Sequence, residues 1–405
     1  MKGHELIERK IYLKKIEEFI DKPVIKVLTG MRRTGKSSLI HIIIKRLKTE
    51  KKRASIIYIN KESLEYEFIK DYKTLYEYVS SKVNKNQENY IFIDEIQEIE
   101  GWEKAISSFL SDRLGDIFIS GSNAHLLSSE LATFISGRYI EIPVYPLSFK
   151  EFLEFRKRNI KPIDVEKEFN NYLKYGGLPG IHFFKFNDEV IYEYLNSILN
   201  TIILKDVVSR NKIKDVSNLE RIILYLFDNV GHITSAKNIS KFFESQKIKI
   251  SVDTILNYIK FLENSFLIKI TKRYDIKGKK FLEYLDKIFF TDIGLRNGLI
   301  GYKDNDINGI LENIVHNELI TRGYKVYVGK LDKFEVDFVA ETQGKRVYVQ
   351  VCYSLASREV QEREFSNLLE IKDNYEKIVI SLDKFFPAEK YGIKHKYLID
   401  FLIEK

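Results

Sequence analysis

Gly30-Met31-Arg32-Arg33-Thr34-Gly35-Lys36-Ser37 is the stretch that decides the reading of this chain. It fits the phosphate-binding pattern G-x-x-x-x-G-K-[ST] without a gap. Its flanks agree: the apolar run 24–28 reads as a buried strand, and 37–48 reads as the helix that follows. Glycines let backbone N–H groups close around phosphate oxygens, and the helix N-terminus adds a partial positive charge. Lys36 is expected to reach the β- and γ-phosphates, and the Ser37 hydroxyl to help hold Mg²⁺. The expected contact set is Gly30, Met31, Arg32, Arg33, Thr34, Gly35, Lys36, Ser37 and Ser38.

Working outward, Tyr90-Ile91-Phe92-Ile93-Asp94-Glu95 supplies the acidic half. Four apolar residues deliver Asp94 to the tip of a strand, where it can serve the Mg²⁺ shell. Glu95 is then placed to orient and deprotonate a water that attacks the γ-phosphate. A third strand, 117–120, ends in small polar residues, so Ser122 or Asn123 is expected to align that water. Arg138 is a candidate charge stabiliser, in cis or from a neighbouring copy.

Strands alternating with helical stretches over the first ~145 residues argue for βαβ units and a parallel sheet. The 405-residue length allows two to four domains. A hydrophobic share of 44% excludes wholesale disorder. One cysteine, Cys352, excludes an intramolecular disulfide and a multi-cysteine zinc site. No apolar run reaches the ~20 residues of a membrane helix, and a cytoplasmic protein with no membrane partner is expected. Sixty-six basic against 58 acidic residues give a net charge of +8, which permits a nucleic-acid partner.

The loop at 29–38, the Ile93-Asp94-Glu95-Ile96-Gln97 box and the Gly121-Ser122 strand end together resemble archaeal and bacterial ATPases of the AAA+ superfamily. So do Ser136-Gly137-Arg138-Tyr139, Tyr145-Pro146-Leu147-Ser148-Phe149 and Tyr175-Gly176-Gly177-Leu178-Pro179. The resemblance spans nearly the whole chain. It implies ATP binding and hydrolysis with Lys36, Ser37, Asp94 and Glu95 in the family's roles, a winged-helix region, and a C-terminal domain similar to PD-(D/E)xK nucleases. Self-association is a further expectation carried by such relatives.

The remaining residues fit that outline. Three helical stretches, 218–229, 235–245 and 251–264, precede a basic β-like segment holding Lys269, Lys272, Arg273, Lys277, Lys279 and Lys280. In the third helix Val252, Ile255, Leu256, Ile259 and Leu262 recur at helical spacing, with Thr254, Asn257, Tyr258 and Lys260 on other faces. Three helices and a basic hairpin make a winged helix-turn-helix, the hairpin touching DNA phosphates. A helix carrying Glu312, a strand carrying Glu335 and Asp337 on one face, and a partner strand carrying Gln350 outline a nuclease fold. Gln350-Val351-Cys352 stands where acid-x-lysine would stand, so that site is expected to be degenerate and Cys352 a core residue.

The expected fold is α/β: a P-loop NTPase core at 1–146, a helical lid or linker at 147–214, a winged helix-turn-helix at 215–300, and a restriction-endonuclease-like α/β domain at 301–405. The expected activity is a Mg²⁺-dependent ATPase acting on DNA. The alternatives are a nucleotide-gated switch that recruits proteins and an ATP-regulated nuclease. The segment Thr291-Asp292-Ile293-Gly294-Leu295-Arg296 carries no assigned chemistry.

Overall fold

A computed structural model describes residues 6–127, 135, 137–158, 160–282 and 285–404; Ser136 of the motif at 136–139 lies outside the described residues. The chain divides into two compact units. One runs to Tyr145 and includes Asn264–Phe266; the other comprises Pro146–Glu263 and Leu267–Lys405.

The first unit contains α1 (Lys10–Glu17), β1 (Ile25–Thr29), α2 (Lys36–Glu50), β2 (Ala54–Asn60), α3 (Tyr72–Lys82), β3 (Glu88–Asp94), α4 (Trp102–Ser111), β4 (Asp116–Gly121) and β5 (Tyr139–Pro143). Its five strands are all parallel, in the order β2-β3-β4-β1-β5. The central strands are buried on both faces, as parallel strands flanked by helices must be. Period-two alternation sorts their side chains into two layers. Ile25, Val27, Ile91, Ile93, Ile117 and Ile119 join α3 and α4 on one face. Leu28, Tyr90, Phe92 and Phe118 join α1 and α2 on the other, with the Phe92 and Phe118 rings stacked at 4.5 Å. Such a ring pair adds about 1 kcal/mol beyond its buried area. Asp71 caps α3 by accepting from Thr74 N at 2.9 Å, in a reciprocal capping box.

Register fixes which residues meet at the carboxyl edge. Thr29 lies beside Gly121, Ile93 beside Ile119, and Asn60 beside Asp94. Arg138 sits at the opposite edge. It directly precedes Tyr139, which pairs with Ile25 at the start of β1, while Pro143 pairs with Thr29 at its end. At about 3.3 Å per residue, Arg138 stands more than about 13 Å from the phosphate loop. The expectation that it serves this loop in cis is therefore incorrect. Its exposed side chain donates from Nε to Ile135 O at 3.4 Å.

The second unit begins with α5 (Phe149–Arg156), α6 (Val165–Tyr175), α7 (Asp188–Thr201) and a π-helical turn (Ile202–Ser209). It continues with α8 (Val216–Asp228), α9 (Ala236–Ser245), α10 (Val252–Asn264), β6 (Ile268–Thr271), β7 (Arg273–Asp275), β8 (Lys280–Phe281), β9 (Lys287–Phe290), α11 (Ile293–Ile300) and α12 (Ile307–Thr321). The last part holds β10 (Lys325–Leu331), β11 (Phe334–Thr342), β12 (Lys345–Val351), α13 (Arg358–Leu369), β13 (Glu376–Ser381), β14 (Glu389–Lys390), β15 (Ile393–Tyr397) and α14 (Leu398–Ile403).

The basic segment is not one hairpin. β6 pairs antiparallel with β9, but β7 and β8 leave them and extend the C-terminal sheet, whose order is β14-β15-β13-β12-β11-β10-β7-β8. The cause is apolar alternation within the basic run. Tyr274 and Ile276 enter the core with Leu331, Val336 and Tyr348, and this draws the run into that sheet. The face of α10 also differs from the expected one. Tyr258 is buried with Ile255, Ile259 and Leu262, whereas Val252 and Leu256 are exposed.

Three motifs that looked unrelated interlock in this unit. Leu147 N donates to Gly177 O at 2.7 Å, and Ser148 caps α5. Gly177 N donates to buried Asp292 at 2.7 Å, and that carboxylate also accepts from Gly294 N at 2.9 Å as the cap of α11. Burial outweighs these donors and pushes Asp292 up to about 6. Gly176 has φ +70°, and a Cβ there would meet Asp292 Oδ1 at 2.3 Å. A Cβ on Gly294 would meet Tyr175 O at 2.1 Å. Arg296, fully buried, donates to Phe227 O at 2.7 Å and pairs with Asp306. Asn297 donates to Leu173 O at 2.9 Å. The segment at 291–296 is thus a fastening between helices.

Candidate nucleotide site

The phosphate loop joins β1 to α2 by a backbone that few residues tolerate. Gly30 has φ +144°, and a Cβ there would meet Val144 O at 2.3 Å; Gly35 is left-handed, and so is Arg33 at φ 69°. Lys36 is buried and curls over the loop, donating to Gly30 O at 2.9 Å and Met31 O at 3.1 Å. Its charge is thereby held against two carbonyls of the loop. Thr34 Oγ1 donates to Met31 O at 3.0 Å. Ser37 is exposed and Ser38 half-buried, in the first turn of α2.

Asp94 and Glu95 stand at the tip of β3, two strands from β1 with β4 between. At about 4.8 Å per strand this separates them from the loop by roughly 10 Å, room for a phosphoryl group and a water. Asp94 is buried and accepts from the Ser120 hydroxyl, and Glu95 N donates to the same oxygen at 3.2 Å. Glu95 adopts φ 55°, a strained value of the kind concentrated at functional sites. Its Oε2 accepts from Ser122 Oγ at 3.0 Å and from the Gln97 amide. Its Oε1 lies 3.9 Å from Lys36 Nζ. Burial pushes the Glu95 carboxyl up, but the charge of Lys36, the Gln97 amide, Arg32 and Ser122 outweigh it and hold it below the usual range.

Lys36, Asp94, Glu95 and Ser122 therefore converge. Asn123 is buried beside Ser122. Two contributors had no obvious signature. Arg9 is buried under the loop, donating to Thr34 O at 3.1 Å and Tyr145 O at 2.7 Å, with its guanidinium 4.4 Å over the Tyr12 ring. Gln97 lies in the quoted box, and only its spacing of two from Glu95 could have pointed to it.

The oxygen donors that could hold Mg²⁺ are the Ser37 hydroxyl and the Asp94 carboxylate, a hard set that suits the ion. Among the described residues no group of three His, Cys, Asp or Glu side chains could hold a metal. That holds for the C-terminal carboxylates too. There Lys287, on β9, is buried and ion-paired to Glu312 at 2.9 Å and Glu335 at 2.7 Å. Asp337 accepts from Val351 N at 2.8 Å, and its own N–H donates to Gln350 Oε1 at 2.7 Å. Gln350 Nε2 donates to Glu364 at 2.8 Å. Glu312, Asp337 and Gln350 are thus tied into one buried polar cluster, with a lysine supplied from outside the acid-x-lysine position. The signal was a lysine heading the apolar run Lys287-Ile288-Phe289-Phe290. Cys352 is buried, and burial pushes its thiol up, so it is an inert core group.

An uninterrupted phosphate loop, a strand-tip Asp-Glu pair and a parallel sheet in this order define an AAA-type P-loop protein. The AAA domain family matches residues 22–153, and a domain of unknown function matches 166–306. An uncharacterized protein of Haemophilus influenzae is 41% identical over 402 residues, covering 98% of this chain and 99% of that protein. Uncharacterized protein MJ1544 of Methanocaldococcus jannaschii is 33% identical over 369 residues, covering 87% and 79%. The chain belongs to the family these two proteins represent. Among solved structures, the Walker-type ATPase PABY2304 of Pyrococcus abyssi is 16% identical with a TM-score of 0.46, covering 72% of this chain and 95% of that one. Among the described residues no helix is long and apolar enough to cross a membrane.

Proposed function

We propose that the chain is a Mg²⁺-dependent ATPase whose nucleotide state acts through a winged helix and a nuclease-like sheet on DNA. The observation that carries this reading is the approach of Lys36 to Glu95 at 3.9 Å inside a phosphate loop. The loop amides, Lys36 and the α2 N-terminus bind the triphosphate. Ser37 and Asp94 would hold Mg²⁺, which would supply positive charge to the triphosphate. Glu95 takes a proton from the water as the water oxygen bonds to γ-phosphorus and the bond from γ-phosphorus to the ADP oxygen breaks; ADP leaves with that electron pair, and inorganic phosphate is the other product. Lys36 depresses Glu95 together with Gln97, Arg32 and Ser122. A triphosphate that draws Lys36 away removes one of these influences and so raises the basicity of Glu95. ATP turnover by the full chain, abolished in Lys36→Ala with loss of ATP binding, tests this half.

The DNA half rests on three helices followed by the β6–β9 ribbon, and on exposed Lys272, Lys277, Lys279 and Lys280 around the β7–β8 turn; Arg273 is half-buried in β7. Lys277 pairs with Asp332 at 3.3 Å, and lysines on an edge strand also deter sheet-to-sheet aggregation. Charge reversal of Lys277, Lys279 and Lys280 separates these uses. Duplex affinity at ~50 mM salt should fall at least about tenfold and its salt slope flatten by roughly three. Unchanged affinity would leave the protein-recruiting switch. The C-terminal cluster supports a degenerate, non-cleaving module, because the Lys287 ammonium already occupies the space among its carboxylates.

A further inference from the structure

Transferring a γ-phosphoryl group concentrates charge on its equatorial oxygens, and Lys36 offers one cation on the loop side. Arg138, at the far edge of the sheet, offers none within this chain. The loop carries another candidate. Arg32 follows Met31 directly, and only 11% of its side chain is exposed. Its Nη1 donates to Glu62 Oε1 at 2.5 Å. Glu62 lies two residues beyond Asn60, which is the register partner of Asp94. Arg32 sits in the loop after β1, yet it bonds a residue just past the end of β2, three places away in the sheet order. Its guanidinium therefore lies at the carboxyl edge of the sheet, the edge that also carries Glu95. Its charge is felt by Glu95, which it helps to hold ionised.

We propose that Arg32, supplied by the phosphate loop itself, is the catalytic arginine that contacts the γ-phosphoryl oxygens in the transition state. This rests on the ATPase reading above. The guanidinium swings from Glu62 onto the phosphoryl group, a move of one side chain with its backbone held in the loop. No bond forms to Arg32 and no proton leaves it. Two of its N–H groups meet two oxygens as the in-line water adds and ADP departs. The arginine acts in cis, so turnover per chain does not depend on meeting a second copy.

The test compares wild type with Arg32→Ala, Arg32→Lys, Glu62→Ala, Arg138→Ala and Lys36→Ala. For Arg32→Ala, kcat is expected to fall about 10²–10³-fold. Binding of a non-hydrolysable ATP analogue should stay within about threefold, because an interaction made in the transition state does not change ground-state affinity. Capture of ADP with fluoroaluminate, a mimic of the transferring group, should be lost in Arg32→Ala and partly kept in Arg32→Lys. If Arg32 only fastened the loop to Glu62, Glu62→Ala would reproduce the loss; it is expected to retain turnover and fluoroaluminate capture. Wild-type kcat should be flat across chain concentration and insensitive to Arg138→Ala. Near-normal kcat in Arg32→Ala, or turnover that climbs with concentration and vanishes in Arg138→Ala, overturns the assignment. Lys36→Ala separates the failures: if it turns over ATP normally, the ATPase reading fails, whereas if only Arg32→Ala does, the arginine inference fails alone.

Discussion

Glu95→Gln is expected to bind ATP as the parent does and to hydrolyse it ~10²–10⁴-fold more slowly, the usual contribution of a positioned base. Glutamine keeps the shape and can still accept from Ser122 and Gln97, so the loop and the Asp94–Ser120 contact should persist. What disappears is the group that accepts the water's proton. Single-turnover hydrolysis beside an equilibrium ATP titration measures both quantities. The acid limb of the pH–rate profile assigned to this carboxylate should vanish as well. A rate within about tenfold of wild type would show that proton removal lies elsewhere, because a positioned base is worth more than that.

The second large effect concerns stability. Lys287→Ala should cost about 3–5 kcal/mol, the price of leaving buried carboxylates without their cation. Burial pushes Lys287 down, but Glu312, Asp337 and Glu335 together pull it well above its ordinary value. Glu312 and Asp337 are raised, chiefly by burial. For carboxyls whose folded pKa exceeds the unfolded value, the stabilising contribution is complete at low pH and is lost as pH rises through the folded value. Without the lysine this loss should deepen, so wild type and variant should differ most near neutrality and converge toward pH 4. Denaturant midpoints across pH give the answer, and a difference that is constant with pH would refute the account. The wild-type protein should leave DNA intact with Mn²⁺ and ATP. Cleavage that Asp337→Asn abolishes would contradict the degenerate reading.

The first unit was largely legible in the sequence because its signals are local. An apolar run followed by the glycine-lysine loop, and a second run ending in Asp94-Glu95, each fix a strand and its tip within ten residues. β5 was missed, since Tyr139-Ile140-Glu141-Ile142-Pro143 is short and half-buried at the sheet edge. What could not be read was anything set by contacts distant in sequence. Arg9 reaches under the loop to Thr34, 25 residues on, and to Tyr145, 136 residues on. The in-cis role expected of Arg138 failed because sequence order says nothing of which end of a parallel strand a residue faces. The basic run misled for a related reason. Its lysines advertise a surface, while Tyr274 and Ile276 between them choose the sheet. Lys287 escaped notice because it enters the carboxylate cluster from another strand, where no fixed spacing announces it.

The fastening around Asp292 limits how this protein can be cut or altered. Tyr175 and Gly294 are separated by more than a hundred residues, yet the Tyr175 carbonyl leaves position 294 only the volume of a hydrogen. A fragment that starts after Gly177 would leave the buried Asp292 carboxylate without that amide, and one that ends before Asp292 would leave the Gly177 amide without its acceptor and bare the seat of α11. Helices α6 and α7, the three that follow and α11 must therefore travel as one piece, and a graft of the three-helix region alone into another scaffold would arrive unmoored.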